Sequence, residues 1–180
     1  MKKSKQQITY QTDSNGKKIL TNDIIKNTLI ANTCNQKHTY GALLIIGGCF
    51  LLAIGIPSLF LGVIAGGLLL SIGGGLCLYF GIKKQRISEE NKSNISKDNF
   101  RIIKTECIEF KEDYVSDPEG GGFFNYTHKF ANAPDQKLSL DYGFAQKGDV
   151  VYLVYLANYD KIGAYFNAHE FTLSADLIIE

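Results

Sequence analysis

The residues best suited to chemistry in this chain are few and scattered. His128, His169 and Cys107 are candidates for a metal site, because imidazole and thiolate are ordinary zinc ligands. Metal sites generally show closely spaced ligand pairs, and none occurs here; His169-Glu170-Phe171 lacks the second histidine of a zinc-protease helix. His128 alternates in step with Phe124, Tyr126 and Phe130, so it reads as a hydrogen-bonded core or rim histidine. Gly120-Gly121-Gly122 presents backbone amides to an anion. It lacks the Lys-Ser/Thr of a phosphate loop, however, and it follows Asp117 and Glu119 and leads into a strand. Asp141, Asp149, Asp160 and Glu170 fall near strand ends and would support acid-base chemistry only if two of them faced each other. No catalytic, cofactor-binding or metal-binding residue is assigned, and the chain is read as a non-enzyme.

The elements that would position these residues are arranged around one stretch. Residues 41–82 contain no Asp, Glu, Lys, Arg, His, Asn or Gln. A bilayer-spanning helix needs roughly 20 apolar residues, so this length fits two spans better than one. Pro57 and Ser58 offer the break, because proline removes a backbone donor, giving spans over 40–56 and 59–82 with a tight turn between them. Gly41, Gly48 and Gly55 recur every seven residues in the first span, and Gly67, Gly74 and Gly81 in the second. That spacing keeps one helix face aligned, and a face without side chains lets two backbones approach closely in lipid. These six glycines are the expected helix-packing seam. Gly62 and Gly66 form a GxxxG that would serve a second copy of the chain.

Lys37 before the spans and Lys83, Lys84 and Arg86 after them are the charge anchors, whereas the turn is uncharged. Lysine and arginine near span ends stay in the cytoplasm, so both termini are expected there, at a bacterial inner membrane. Tyr40, Tyr79 and Phe80 suit the interfacial aromatic belt on the same side.

Charge is balanced overall but unevenly placed. Residues 1–40 hold seven Lys against Asp13 and Asp23, while residues 99–180 hold thirteen acids against seven bases. A basic arm beside a span favours anionic lipid, and an acidic C-terminal region argues against nucleic acid, which needs cations to neutralise phosphates. Cys34, Cys49, Cys77 and Cys107 show no paired spacing and read as free thiols.

Along the chain, residues 7–11 alternate, Asn15-Gly16 is a hairpin turn dipeptide and residues 17–20 follow it as the second arm of a small hairpin, after which comes a short helix capped by Thr21 or Asn22. That helix is suited either to the membrane surface or to packing on the C-terminal domain. From Phe100 onward the period becomes two, with about six short strands and fifteen of the twenty-one aromatic residues. A phase change at Cys107-Ile108 marks a bulge or bend.

The expected fold is therefore a membrane-anchored α+β protein. It comprises a basic arm (1–38), a transmembrane helical hairpin (39–83), a polar linker (84–99) and a small antiparallel β-barrel or sandwich (100–180). The expected function is an anchor for a β-domain that binds another membrane or cytoplasmic protein, with the lipid bilayer as its other partner and no cofactor. The alternative is a homo-oligomer assembled through the glycine seams into a pore or membrane-disturbing complex; a membrane-bound enzyme is the third reading.

Overall fold

The computed structural model describes residues 10–116, 121–133, 137–140, 143–156 and 162–179. The chain runs β1 (Lys18–Leu20), α1 (Asn22–Leu29), a π-helical segment (Ile30–Asn35), α2 (Gln36–Phe60) and α3 (Ile64–Ser96). The strands β2 (Phe100–Ser116), β3 (Gly122–Phe130), β4 (Lys137–Leu140), β5 (Val150–Leu156), β6 (Ile162–Asn167) and β7 (Phe171–Leu173) follow. Two compact units result: Ile30–Lys97, and a second made of Met1–Leu29 with Asp98–Glu180. The helical unit is thus inserted in sequence between two parts of the β-rich unit.

In the helical unit, α2 and α3 are both long and apolar enough to cross a membrane, and only 11% and 17% of their most apolar windows are buried. A core helix of a soluble protein shows the opposite, an apolar stripe turned inward. The turn differs from the expected one. α2 passes through Pro57 and Ser58 to Phe60, and the chain reverses at Leu61, Gly62 and Val63. Pro57 sits in the last turn, where its missing N–H costs one helical bond, and the Ser58 hydroxyl donates to the Ile54 carbonyl at 2.8 Å instead of breaking the helix. Gly62 then supplies the left-handed backbone at φ +82°, the usual helix stop.

The polar stretch expected as a linker is also helical. α3 continues to Ser96, with Ser88, Asn91 and Ile95 buried on it. Ser88 and Ile95 extend the seven-residue spacing of Gly67, Gly74 and Gly81, so one face persists beyond the apolar stretch. Asp98, at φ +58°, follows the end of the helix.

The β-rich unit is built on a curled antiparallel sheet of five strands, ordered β4-β3-β2-β5-β6, a half-barrel rather than the closed barrel or two-sheet sandwich expected. The expected phase change is a bulge between Cys107 and Glu109, where β2 shifts register against β3. Cys107, Phe130, Val151, Leu153 and Tyr155 form a buried cluster inside the curl, with Phe110, Leu138, Phe144 and Tyr165 packed on it. The last strand, β7, leaves this sheet and pairs in parallel with β1, Lys18 opposite Phe171 and Leu20 opposite Leu173.

That pairing draws the N-terminal arm into the domain. Of the expected arm hairpin, residues 7–9 lie outside the described residues, but the Asn15-Gly16 turn is formed, with Gly16 at φ +76° and the Asp13 carboxylate accepting from the Asn15 and Lys17 amides at 2.8 Å each. Leu20, Ile24, Ile25 and Leu29 are buried, and α1 packs against β6. Lys26 and Asn22 both reach Asp98, at 2.7 and 2.6 Å, and the Lys26 ammonium leads in holding the Asp98 carboxyl below the usual carboxylate range. Of the two placements open to this helix, the structure has packing on the β-rich unit.

Candidate functional site

Among the described residues no group of three or more His, Cys, Asp or Glu is placed to hold a metal ion. The three residues considered for one are separated by their environments. His169 lies at the surface, its Nε2 3.3 Å from Asp149. Cys107 is buried, its Sγ donating to the Glu109 carbonyl at 3.4 Å, and burial pushes its thiol up. His128 is fully buried.

The carboxylates near strand ends are engaged in turns and pairs. Asp149 accepts from the Gln146 amide at 2.8 Å and from Asn167 Nδ2 at 3.4 Å, and the Gln146 contact leads in holding its carboxyl below the usual range. It thereby clasps the turn before β5 to the end of β6. Glu170 pairs with Lys18 across the β1-β7 junction at 3.8 Å. Asp141 and Asp160 lie outside the described residues, as does Gly120 of the glycine run; Gly121 precedes β3 and Gly122 begins it.

His128 belongs to an aromatic stack. Its ring centroid is 4.6 Å from Phe144, 5.2 Å from Phe110 and 6.4 Å from Phe130. Register explains the grouping, since Phe110 stands opposite His128 on the neighbouring strand and therefore on the same face. Neither ring nitrogen makes a hydrogen bond of normal geometry among the described residues, but the backbone of Leu138 and Ala145 lies close enough to the ring to act on it, so the expected hydrogen-bonded histidine is met only by these weak contacts. Burial lowers the His128 pKa, and the backbone groups of Leu138 and Ala145 beside the ring offset this only in part. A neutral, packed ring is what this environment favours.

The most highly built arrangement lies in the helical unit. All six seam glycines lie where α2 meets α3. A Cβ added to Gly48 would stand 2.8 Å from the Gly74 carbonyl oxygen, and one on Gly74 would stand 2.9 Å from that of Gly48. Gly41 and Gly81 are related in the same way, at 3.1 and 2.9 Å. A Cβ on Gly67 would lie 2.9 Å from the Gly55 oxygen, and one on Gly55 2.8 Å from the Ser71 amide nitrogen. At each position a methyl group would have to push backbone apart. Gly47, Gly73 and Gly75 have open space instead, so glycine is spatially required along one face and not the others. The series continues outward from the turn, where the Ser88 hydroxyl donates to the Cys34 carbonyl at 3.1 Å, both residues buried one heptad beyond Gly81 and Gly41. That extension was hidden in the sequence because neither Cys34 nor Ser88 is glycine, although the seven-residue spacing would have found it.

The charge anchors Lys83, Lys84 and Arg86 are exposed on α3, and Lys84 Nζ lies 5.6 Å from the centroid of the Tyr40 ring. The Lys37 side chain lies outside the described residues. Pro57 and Ser58 lie within α2 and do not form the turn. Gly62 of the GxxxG pair occupies the turn, with no neighbour within 4 Å of an added Cβ.

Adjacent glycines should respond with opposite signs. Gly48→Ala should destabilise the hairpin by about 1–3 kcal/mol through overpacking. Gly47→Ala should be neutral or stabilising by about 0.5–1 kcal/mol, the usual gain from removing a helical glycine. Denaturant titration in mixed micelles, followed by helical circular dichroism, checks this, and equal effects at the two positions would contradict the seam. A second expectation concerns His128. Its folded pKa is depressed, so its contribution is fully present above the unfolded value of about 6.5 and is lost as pH falls below it, by up to about 1.4 kcal/mol per pH unit. His128→Phe should flatten the pH dependence of thermal unfolding between pH 5 and 6.5, above the range in which the carboxylates titrate. An unchanged slope would count against a buried neutral ring.

Set beside known proteins, the chain matches no family model, no curated protein and no solved structure.

Proposed function

We propose that this is a small integral membrane protein whose helical hairpin anchors a β-rich domain that binds another protein. The observation that carries the reading is the inverted distribution of side chains on α2 and α3. Large apolar residues such as Leu43, Ile46, Phe50, Leu69, Ile72 and Leu76 are exposed, while the buried contact is glycine. Water would penalise that surface, whereas lipid would not, and helices in lipid associate by close packing of small residues. The basic side chains Lys83, Lys84 and Arg86 lie beyond one end of the apolar stretch, and the Leu61–Val63 turn is uncharged, which supports an orientation with both termini in the cytoplasm. The β-rich unit is then the part available to a partner, by elimination of the inert hairpin.

The alternative of a pore built from seam-to-seam association is less well supported, because the seam glycines are already used within one chain. The test is to express the full chain, wash membranes with alkaline carbonate, solubilise them in mild detergent and isolate the protein with whatever accompanies it. The protein should remain in the pellet through the wash and should bring a stoichiometric partner after solubilisation. Release by carbonate would overturn the anchor, and repeated isolation of the chain alone would overturn the binding role.

A further inference from the structure

The β2-β3 pair outruns the rest of its sheet. β5 pairs with β2 only over residues 100–106, and β4 pairs with β3 only over 126–129. The β2-β3 ladder continues to Ser116 opposite Gly122. Residues 111–116 with 122–125 therefore form a two-stranded ribbon whose outer edges have no strand partner among the described residues. Such a ribbon is marginal in water by itself, and an open edge is a template for another strand.

Its side chains are unusual for an exposed element. Tyr114 and Phe124 stand edge to face at 5.2 Å, and the Tyr114 ring lies over Gly122, leaving no room there for a Cβ. Tyr114 is 61% exposed and Phe123 59%, and Val115 and Phe124 are exposed beside them. Charge is also left over. The Glu109 carboxylate is taken by Lys111 at 2.8 Å and Lys129 at 3.7 Å, whereas Glu112 and Asp113 make no ion pair among the described residues. The Tyr126 hydroxyl donates to Glu112 at 3.4 Å. Strand alternation puts Glu112 with Tyr114 on one face of the ribbon, and Asp113 with Val115 on the other. Each face thus offers one exposed carboxylate outside any ion pair next to one apolar side chain, Glu112 accepting from the Tyr126 hydroxyl and Asp113 sharing its face with Lys111, whose ammonium is held by Glu109.

We infer that the ribbon takes up a basic, extended segment of a partner protein as an added strand along the free edge of β2. Main-chain hydrogen bonds would fix it, two consecutive basic residues would meet Glu112 and Asp113, and two consecutive apolar residues would meet Tyr114 and Val115. The complementarity of an acidic edge selects a basic strand over a second copy of this ribbon, whose like charges would oppose pairing. This inference rests on the reading of the β-rich unit as a binding domain and names the partner chemistry that suits it.

The test uses the full chain in nanodiscs of neutral phosphatidylcholine, which gives a basic peptide no anionic lipid to adhere to. The probe is a fluorescent ten-residue peptide centred on Val-Tyr-Lys-Arg, with the same peptide N-methylated at alternate residues, in both phases, as the strand-incompetent control. Anisotropy should show saturable binding that weakens about tenfold or more, roughly 1.4 kcal/mol, in E112K/D113K and in the milder E112Q/D113N, and also for the N-methylated peptides of one phase. Thermal unfolding should be unchanged in both variants, whose substituted side chains are exposed. Equal binding by wild type and variants would overturn the site, and equal binding of all peptides would overturn strand addition. A wild-type dimer that E112K/D113K abolishes would overturn the basic partner in favour of a second copy. Cellular proteins retained equally by wild type and E112K/D113K would overturn the ribbon while leaving the binding-domain reading intact; no retained protein and no peptide binding would overturn both.

Discussion

The close approach of α2 and α3 is the constraint on which the helical unit depends. On the proposed reading the two apolar helices lie in lipid, where there is no water to expel, so their association would come from dispersion at short range. Side chains on the contact face would hold the backbones apart, and glycine removes that obstacle. The mutual contacts of Gly41 with Gly81 and of Gly48 with Gly74 are reciprocal, each glycine occupying the place a methyl group on the other would need. Because the repeat is seven, the face that begins at Gly55 and Gly67 near the turn recurs down both helices to Cys34 and Ser88. There the contact changes character, from glycine against backbone to a hydroxyl donating to a carbonyl, where the surrounding sequence becomes polar.

The β-rich unit follows a different logic, in which water exclusion does the work. Its curled sheet buries Cys107, Phe130, Val151, Leu153 and Tyr155 inside the curl, while Leu20, Ile24, Ile25 and Leu29 from the arm are buried in the same unit. Parallel pairing of β1 with β7 ties the start of the chain to its end, and the Lys26 and Asn22 contacts with Asp98 tie α1 to the residue just after the helical unit. A unit assembled from both sides of an insertion must close long loops before these contacts reward it, which makes the short β1-β7 pairing dependent on the core already formed.

Local periodicity made part of this legible. The charge-free stretch, the glycine heptads and the bulge at Cys107 each carry their signal within a few residues. What was hidden depended on distant or competing terms. Pro57 reads as a helix stop, but within the last turn its missing donor removes only one bond, and Gly62 makes the reversal instead. Residues 84–99 read as a linker by polarity, yet the chain stays helical as far as Ser96, with Ser88 and Ile95 keeping the heptad spacing. The arm reads as an isolated hairpin because its true partner, Phe171–Leu173, lies at the far end of the chain. The position of His128 among aromatics was visible from alternation; the weakness of the polar contacts at its ring was not, since they come from Leu138 in β4 and Ala145 before β5, both distant in sequence.

These features converge on an inert apolar hairpin carrying a folded domain with an open, acidic and aromatic edge. The most direct test of that account is topology mapping in intact cells with a membrane-impermeant thiol reagent. Single cysteines would be placed at Gly62 in the turn and at Lys97 after α3, in a background with the four native cysteines replaced by serine or alanine. The account predicts that Gly62→Cys is labelled from outside, whereas Lys97→Cys is labelled only after the membrane is opened. Labelling of both positions from the same side in intact cells, or of neither until lysis, would contradict a hairpin that crosses the bilayer and returns.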